Sequence, residues 1–466
     1  MAIKIKFGTD GWRAIIAKEY TVDNVQRVAE ATAKWMKGQG MSKVVIGYDC
    51  RFGGKMFAET TAAMMGAWGI KSYVAPDFVS TPMVSLGVKQ LGADMGIVIT
   101  ASHNPPSYNG FKLKSSYGGP TVPVHIAEIE AGIPDEVYTT LPTISYLKNA
   151  GLIEEVDLEQ MYFDHVKNRF DLPLIARSNI KVAFDAMYGA GQRIVPRILP
   201  DAVQLHCDYN PSFKGQAPEP IHRNLTELSQ LIKERGDIDF GLANDGDADR
   251  IGAYDENGDF VDSHRILLLL LYYLAKYKGM KGKVVVTFSV TEKMQKLAEY
   301  FGFEYQVTPI GFKHIAEIMI EEPVIVAGEE SGGLAVMGHI PERDGVWNGL
   351  ILLEFMAKTG KKLTALLEEV YEIVGRFDYD RDDLHIDENT KQAIIERCQS
   401  NPYPDFGPYH VRRLETIDGY KFHFNEGQWV MIRPSGTEPV LRVYAQGKDM
   451  AEVRDILKHV HETLKS

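Results

Sequence analysis

The chain has 466 residues, of which 45% are hydrophobic and 24% charged, a composition typical of globular proteins. At about 100–150 residues per domain, this length predicts three or four domains. The net charge of −12 argues against a nucleic-acid partner, although a local group of Arg and Lys side chains could still bind an anionic substrate.

Cysteine spacing and apolar segments indicate a cytoplasmic protein without a membrane partner. Cys50, Cys207 and Cys398 are far apart and form no CxxC pair, so neither a zinc site nor a disulfide framework is predicted. Residues 1–8 lack the apolar core of a signal peptide. The longest apolar run, residues 266–275, is shorter than the roughly 20 residues that a membrane-spanning helix needs, and it predicts a buried helix instead.

Three parts of the chain follow the same pattern of strand, helix, strand and loop. Each opens with a short β-branched run that suits a buried strand, at residues 43–47, 181–185 and 283–287. A second apolar strand follows in each part, at residues 95–99, 240–243 and 323–327. Polar loops then follow at residues 100–104, 244–250 and 328–333. The pattern predicts three similar α/β domains with mixed sheets flanked by helices.

The C-terminal part of the chain has a different character. After residue 375 it becomes charged and rich in proline, and it ends with a strand at 440–445 and an amphipathic helix at 450–464. This pattern predicts a smaller α+β domain. The predicted domains are therefore residues 1–150, 151–258, 259–372 and 373–466.

The loop after the strand at 95–99 reads Thr100-Ala101-Ser102-His103-Asn104-Pro105. Proline removes a backbone donor and disfavours helix at the preceding residue, so the strand must end here. The loop leaves the Ser102 hydroxyl at the end of a sheet, where α/β proteins bind ligands. Ser102 is therefore a candidate nucleophile, and a capping serine in a polar turn is the alternative.

The second loop carries three carboxylates at a spacing of two, in Asp245-Gly246-Asp247-Ala248-Asp249-Arg250. Alternate residues of an extended segment point the same way, so three oxygen donors would face one side. Such a set suits a hard divalent cation, and Mg²⁺ is favoured if a phosphate completes the shell. Arg250 would suit a phosphate oxygen.

Two other interpretations fit part of this loop. An EF-hand also begins with alternating aspartates, but Arg250 occupies the sixth position, where the turn requires glycine. A haloacid-dehalogenase-like phosphotransferase would use Asp245 as nucleophile and Asp247 as acid or base. Its motif belongs on the first strand of a domain, whereas this loop lies deep in the chain.

Three further loops carry groups that suit sugars or phosphates, and each could equally be a plain turn. In the loop at 328–333, Glu329 and Ser331 suit sugar hydroxyls. The loop at 433–439 contains Arg433, two hydroxyls and a glycine, which together suit a phosphate, and Arg442 is expected on the same side. In the segment at 7–13, Arg13 could reach a phosphoryl group.

These five loops, in this order, resemble those of the α-D-phosphohexomutase family. The match is closest at 100–105 with Asn109-Gly110-Phe111-Lys112, at 245–250 and at 433–439. Members of this family have four domains around a central cleft. The resemblance implies that Ser102 carries the phosphoryl group as phosphoserine and, with Asp245, Asp247 and Asp249, binds one Mg²⁺. It also implies that Arg13 and Lys112 contact the transferring phosphoryl group, with Lys112 or His103 assisting proton transfer.

The resemblance assigns the other loops to a hexose phosphate as the small-molecule partner. The implied substrate-binding residues are Arg250, Lys313, Glu329, Ser331, Arg343, Arg433, Ser435, Gly436, Thr437 and Arg442. Phosphoserine would donate to the sugar and form a bound 1,6-bisphosphate. The bisphosphate would then turn end for end and return its other phosphate to the serine.

The residues Glu329-Glu330-Ser331 resemble members that act on glucose phosphates. A histidine after Gly332, or a glutamine before Ser331, would suggest the mannose or glucosamine forms. We therefore expect interconversion of glucose 1-phosphate and glucose 6-phosphate, with glucose 1,6-bisphosphate as activator. Mannose phosphates remain an alternative, because Arg343 stands where Lys is common and Ile310 where a polar residue is common. A phosphatase and a non-catalytic sensor are the rivals from other classes.

Overall fold

The computed structural model describes residues 3–434 and 440–465. The chain forms two compact units. The first contains residues 1–283 and 311–367, and the second contains residues 284–310 and 368–466.

The N-terminal part of the first unit is a mixed sheet with helices packed against it. Its elements are β1 (Trp12–Ile15), α1 (Val22–Gly38), β2 (Lys43–Tyr48), α2 (Gly54–Ala67), β3 (Lys71–Val74), α3 (Thr81–Gln90), β4 (Met95–Ile99), β5 (Tyr108–Ser115), β6 (Gly119–Pro120), α4 (Pro123–Ala131), α5 (Ile144–Asn149) and β7 (Ile153–Glu155). The strand order is β1-β5-β4-β2-β3-β7, with β6 paired to β5. Strands β4, β2, β3 and β7 are parallel, and β5 runs antiparallel to β4 and β1. Every residue of β4 is buried, as its continuous apolar run predicts.

The next part repeats this arrangement. Its elements are α6 (Leu158–Lys167), α7 (Leu172–Arg177), β8 (Val182–Asp185), α8 (Ile194–Ile198), β9 (Val203–Leu205), α9 (Thr226–Arg235), β10 (Phe240–Asn244), β11 (Ile251–Tyr254) and β12 (Phe260–Val261). The strand order is β12-β11-β10-β8-β9, with β10 parallel to β8 and antiparallel to β11. In both sheets a buried parallel strand therefore leads through a polar loop into an antiparallel strand.

The following elements belong partly to each unit. They are α10 (Ser263–Tyr272), β13 (Lys283–Thr287), α11 (Lys293–Phe301), β14 (Tyr305–Thr308), α12 (Phe312–Glu321), β15 (Val324–Gly328), β16 (Leu334–Val336), α13 (Gly345–Thr359) and α14 (Leu363–Val374). In the first unit β15 and β16 are antiparallel, and in the second unit β13 and β14 are parallel. The predicted buried helix is present, but α10 ends at Tyr272 and the chain continues as a π-helical turn over Tyr273–Tyr277. No helix among the described residues is long and apolar enough to cross a membrane.

The C-terminal part, within the described residues, consists mostly of strands with two helices, which agrees with the predicted smaller α+β domain. Its elements are β17 (Asp378–His385), α15 (Glu388–Ser400), β18 (Asp405–Phe406), β19 (Tyr409–His410), β20 (Arg413–Glu415), β21 (Tyr420–His423), β22 (Trp429–Pro434), β23 (Val440–Gly447) and α16 (Met450–Lys465). The antiparallel order β17-β23-β22-β21-β20 leaves the charged strand β17 at an edge, where charged side chains discourage pairing with another chain. The fold class expected from the sequence is confirmed, and all three cysteines are free.

Candidate active site

Ser102 lies in the loop between β4 and β5, in a backbone conformation that few non-glycine residues adopt. Its φ is +51°, and the residue is buried. The Ser102 N–H donates to Thr100 Oγ1 at 2.9 Å, and the Thr100 hydroxyl donates to Asp49 Oδ2 at 2.6 Å. These bonds hold the serine in a strained turn, which is a common property of residues at functional sites.

The buried guanidinium of Arg51 holds the rest of this loop. Its NH2 donates to Ser102 O at 2.5 Å and to Asn104 O at 2.7 Å. Its NH1 donates to Pro105 O at 2.9 Å and to Tyr108 O at 3.0 Å. Asp49 balances the charge, with its Oδ2 lying 3.2 Å from Arg51 Nε. The nucleophile loop is thus anchored through its own backbone carbonyls.

The three aspartates of the second loop gather next to Ser102. The Ser102 hydroxyl donates to Asp245 Oδ2 at 2.7 Å. Asp245, Asp247 and Asp249 are buried, and one carboxylate oxygen of each lies within 4.8 Å of the others. The loop following β10 therefore brings its carboxylates to the loop following β4, next to the residue that the family resemblance pairs with them.

The oxygens of this cluster fit a divalent cation. Asp247 Oδ1 and Asp249 Oδ1 are buried and have no hydrogen-bond partner among the described residues. Burial, followed by the charges of Asp247 and Asp249, raises the pKa of Asp245 well above its usual value. A cation with oxygen ligands would satisfy both unpartnered oxygens and relieve this repulsion, so the donor set fits Mg²⁺.

Lys112 and Asp10 form the charged centre of the site. The buried Lys112 Nζ lies 2.9 Å from Asp10, 2.8 Å from Asp247 and 3.1 Å from Asp249. Burial alone would lower the pKa of Lys112, but these carboxylates raise it above its usual value. Arg343 NH2 also binds Asp10, at 2.5 Å, and Asp249, at 2.8 Å. Arg343 was expected to contact substrate, and here its guanidinium is engaged by two aspartates.

Arg13 and His103 lie beside the same loop. Arg13 NH1 donates to Asn104 Oδ1 at 2.6 Å, and its NH2 lies 3.8 Å from Asp10. His103 Nδ1 lies 3.3 Å from Ser102 Oγ. Burial, together with the nearby cations, chiefly Arg250 and Arg13, lowers the pKa of His103 well below its usual value. The imidazole is therefore neutral, whereas Lys112 carries a proton.

The expected sugar-binding residues of the first unit differ in how deeply they are buried and in how they are hydrogen-bonded. Glu329 is buried, and its Oε1 accepts the Gly311 N–H at 3.0 Å. Arg250 is also buried, and no described residue forms a hydrogen bond with its Nε. Ser331 and Lys313 are half-buried, with Lys313 in the first turn of α12. Arg250 therefore offers a cation for an anionic ligand.

Two of the expected phosphate-binding residues lie in the second unit. Arg433 on β22 and Arg442 on β23 are directly opposite each other in the strand register. Paired like charges repel, so an anion between them would be stabilising. Arg433 Nε donates to Asp418 Oδ1 at 3.1 Å. The other expected residues, Ser435, Gly436 and Thr437, lie outside the described residues.

Several residues of the site were not predicted from the sequence. They are Asp10, Asp49, Arg51, Thr81, Lys114 and Glu342. The Thr81 hydroxyl donates to Asp247 Oδ2 at 2.5 Å, and Lys114 Nζ lies 2.5 Å from the Glu342 carboxylate. Asp49 and Arg51 directly follow β2, which is the kind of position that singled out the other loops. Lys114 shares a strand face with Lys112, because side chains alternate along a strand. These two signals were present in the sequence, and Glu342 directly precedes the predicted site residue Arg343, whereas Thr81 had no signal.

Family profiles for phosphoglucomutase/phosphomannomutase match almost the whole chain in four consecutive segments. The alpha/beta/alpha domains I, II and III match residues 4–139, 160–258 and 262–374, and the C-terminal domain matches residues 385–463. The chain belongs to the α-D-phosphohexomutase family. This phosphohexomutase is therefore an isomerase that transfers a phosphoryl group. Our division at residues 150, 258 and 372 stays a prediction.

Relatives with similar sequences carry different sugar names. A phosphoglucosamine mutase of Methanococcus maripaludis (strain S2) is 30% identical over 97% of this chain and 96% of its own. A phosphoglucomutase/phosphomannomutase of Thermococcus kodakarensis is 29% identical over 97% and 96% of the two chains. A crystal structure from Thermus thermophilus, assigned as a phosphomannomutase, is 32% identical with a TM-score of 0.88 and covers 100% of both chains. These names agree on the reaction class and differ on the sugar.

Proposed function

We propose that this phosphohexomutase interconverts glucose 1-phosphate and glucose 6-phosphate through a phosphoserine at Ser102. The observation that carries the proposal is the 2.7 Å hydrogen bond from the Ser102 hydroxyl to Asp245, inside a cluster of buried carboxylates and cations. A serine in such a position can hold a phosphoryl group whose charge is balanced on several sides.

The proposed first step moves the phosphoryl group from Ser102 to the sugar. The bond between phosphorus and Ser102 Oγ breaks, and a bond between phosphorus and the sugar hydroxyl oxygen forms. The sugar hydroxyl proton goes to His103 Nδ1, which lies 3.3 Å from Ser102 Oγ. His103 passes this proton to the leaving Ser102 oxygen, which keeps the electron pair of the broken bond. Lys112 and Arg13 act as cations toward the phosphoryl oxygens. Mg²⁺ held by Asp245, Asp247 and Asp249 would supply further positive charge when bound.

The resulting glucose 1,6-bisphosphate would turn end for end and return its other phosphate to Ser102. This reorientation requires a second phosphate site that binds without reacting. The paired side chains of Arg433 and Arg442 support that role, since two like charges in register favour an anion. Arg250, with its unpartnered Nε, supports a contact to the sugar phosphate. Ser435, Gly436 and Thr437 remain predicted phosphate contacts.

The residue at position 333 supports glucose as the sugar. A histidine here or a glutamine before Ser331 would suggest the mannose or glucosamine forms, and this chain has neither. A Cβ here would lie 2.5 Å from Arg343 Cδ, so a side chain would displace Arg343 from Asp10 and Asp249. Glu329 would instead accept hydrogen bonds from sugar hydroxyls. Glucosamine phosphates are the second candidate, because the Methanococcus maripaludis relative carries that name.

The sugar is tested by comparing kcat/KM for glucose, mannose and glucosamine 1-phosphates, with the matching 1,6-bisphosphate present. We expect glucose 1-phosphate to be preferred over both other sugars. A preference for glucosamine 1-phosphate would overturn the glucose assignment and leave the phosphoserine chemistry intact.

The phosphoserine is tested by mass spectrometry of the purified enzyme. We expect a phosphoryl group on Ser102 that is lost on adding hexose phosphate, without multiple-turnover release of inorganic phosphate. Ser102→Ala should abolish turnover while glucose 1-phosphate still binds, and Ser107→Ala, an exposed serine of the same loop, should stay active. Steady release of inorganic phosphate would instead identify a phosphatase.

A further inference from the structure

We infer that His339 is a positioning residue for Arg343 and acts through the carboxylate of Asp344. The inference rests on the proposed function, because it concerns how Arg343 is held beside the metal-binding loop. His339 lies between β16 and α13, outside the loops that the sequence singled out for catalysis.

The Asp344 carboxylate collects three donors. Its Oδ1 accepts the Trp347 N–H at 2.9 Å and so caps the first turn of α13. Its Oδ2 accepts the Tyr162 hydroxyl at 2.8 Å and His339 Nε2 at 2.9 Å. The side chain is only 2% exposed, so water cannot replace a lost donor.

The backbone around Asp344 leads directly to the site. The Asp344 N–H donates to Leu334 O at 3.2 Å, and the Gly345 N–H donates to Ala248 O at 3.1 Å. Ala248 belongs to the loop of three aspartates, and Arg343 is the residue before Asp344. Fixing the Asp344 carboxylate therefore fixes the starting point of the Arg343 side chain, whose guanidinium binds Asp10 and Asp249.

The orientation of the His339 ring is itself determined by its neighbours. The ring stacks on Trp347, with centroids 3.8 Å apart and planes 7° from parallel. His339 Nδ1 lies 3.2 Å from His165 Nε2, on α6. In the inferred arrangement the His339 proton lies on Nε2 and is donated to Asp344, so His339 Nδ1 accepts the proton that His165 carries on Nε2.

Burial and the charges around the His339 and His165 rings maintain this hydrogen-bond arrangement at neutral pH. Burial is the largest cause that lowers the pKa of His165 to about 4, so His165 is neutral at pH 7. The titratable and charged groups that also act on His165 are His339, Arg169, Asp344 and Lys89. Protonation of both rings would set two N–H groups against each other. The hydrogen bond between His165 Nε2 and His339 Nδ1 therefore forms only when one proton lies between the two imidazoles.

The test compares two substitutions at His339. We expect His339→Leu, which removes the donor, to lower kcat/KM by about 10- to 100-fold, because it leaves the buried Asp344 carboxylate with an unmet hydrogen bond and lets Arg343 shift. His339→Gln keeps a donor near the Nε2 position and should recover activity to within about threefold of wild type. Equal activity of the Leu variant and wild type, or equal loss in both variants, would overturn the inference.

Tyr162→Phe keeps the test decisive if the Leu variant fails to fold. It removes the other donor to the same oxygen with little change in packing, and we expect a fall in kcat/KM in the same direction. Unchanged activity in this variant would count against the inference.

A second readout does not depend on turnover. Nitrogen-15 NMR of the histidine rings should show a proton on Nε2 of both His339 and His165 at pH 7. Observation of the Nδ1–H tautomer of His339 would overturn the inference even if the mutase reaction is confirmed. Absence of mutase activity in the wild type, with the expected tautomers present, would instead count against the proposed function.

Discussion

At the residue scale, neighbouring charges decide what each ionisable side chain can do. Lys112 is buried and His103 is half-buried near Ser102, and the family resemblance offered either as the proton carrier. Carboxylates on three sides raise the pKa of Lys112 despite its burial. His103 faces cations, and burial together with those cations lowers its pKa. The pair therefore divides into a permanent cation and a neutral base.

Asp247 provides a test of the metal site. We expect Asp247→Asn to lower activity more than about 100-fold, because it removes a negative oxygen from the set that fits Mg²⁺. The measurement is the initial rate as a function of Mg²⁺ concentration. Asp259→Asn, an exposed acid in the same sheet region, should behave like wild type. Activity that survives a chelator in wild type would contradict the metal assignment.

Gly333 provides a test of the contact with Arg343. We expect Gly333→Ala to reduce kcat/KM by about 10-fold, because its Cβ would lie 2.5 Å from Arg343 Cδ. Gly38→Ala is the matched control, since a Cβ there has no atom within 4 Å. If both variants have wild-type kinetics, Arg343 can move without cost and the steric argument for glucose fails.

At the element scale, the important unit is a buried strand, a loop and an antiparallel return strand. Between β4 and β5, Arg51 joins the loop to the end of β2 through four backbone carbonyls. The planar guanidinium can reach all four, which a lysine ammonium cannot. The position of Ser102 therefore depends on Arg51, which follows a different strand, β2.

Arg51→Lys tests this anchoring. We expect kcat to fall about 100-fold with a smaller change in KM, because Ser102 would lose its fixed position relative to Asp245. Arg27→Lys is the matched control, since Arg27 is also buried and donates to carbonyls of Pro134 and Ile3 away from the site. Stopped-flow measurement of phosphoryl transfer and the melting temperature of both variants separate the effect on catalysis from the effect on stability. An equal fall in kcat for both variants would show that the effect is not specific to the Ser102 loop.

At the scale of the whole molecule, each compact unit contains a histidine that folding keeps neutral. Burial is the main reason that the pKa of His165 falls to about 4 in the first unit and that of His423 to about 3 in the second. The unfolded chain takes up these protons near pH 6.5, before the folded protein does. The free energy of unfolding should therefore fall as the pH drops from about 6.5 toward 4.

Denaturant titrations at several pH values test this expectation. His165→Gln and His423→Gln should each lose less stability than wild type between pH 6.5 and 4. Because the two histidines lie in different units, their effects should add in the double variant. A wild-type stability that does not change over this range would contradict the burial argument.

Local patterns explain how much the sequence could predict. Runs of apolar residues placed β4, β10 and β15 within one residue of their observed limits, and the polar loops after them carried Ser102, the three aspartates and Glu329. The end of α10 was missed, because an unbroken run of leucine and tyrosine contains no stop signal. Arg51 and Asp10 were also missed as parts of the site, since their roles depend on partners far away in the chain.

The sequence by itself determined the order of strands and helices, the repeated α/β unit and the chemical nature of each loop, because these depend on neighbours along the chain. Only the tertiary structure decided which charges meet. Arg343 and Asp10 are 333 residues apart in the chain, yet they form one ion pair beside Lys112. Such pairs set the protonation of Lys112, the fixed position of Ser102 and the space at Gly333, because electrostatic and steric forces act over a few ångströms regardless of chain distance.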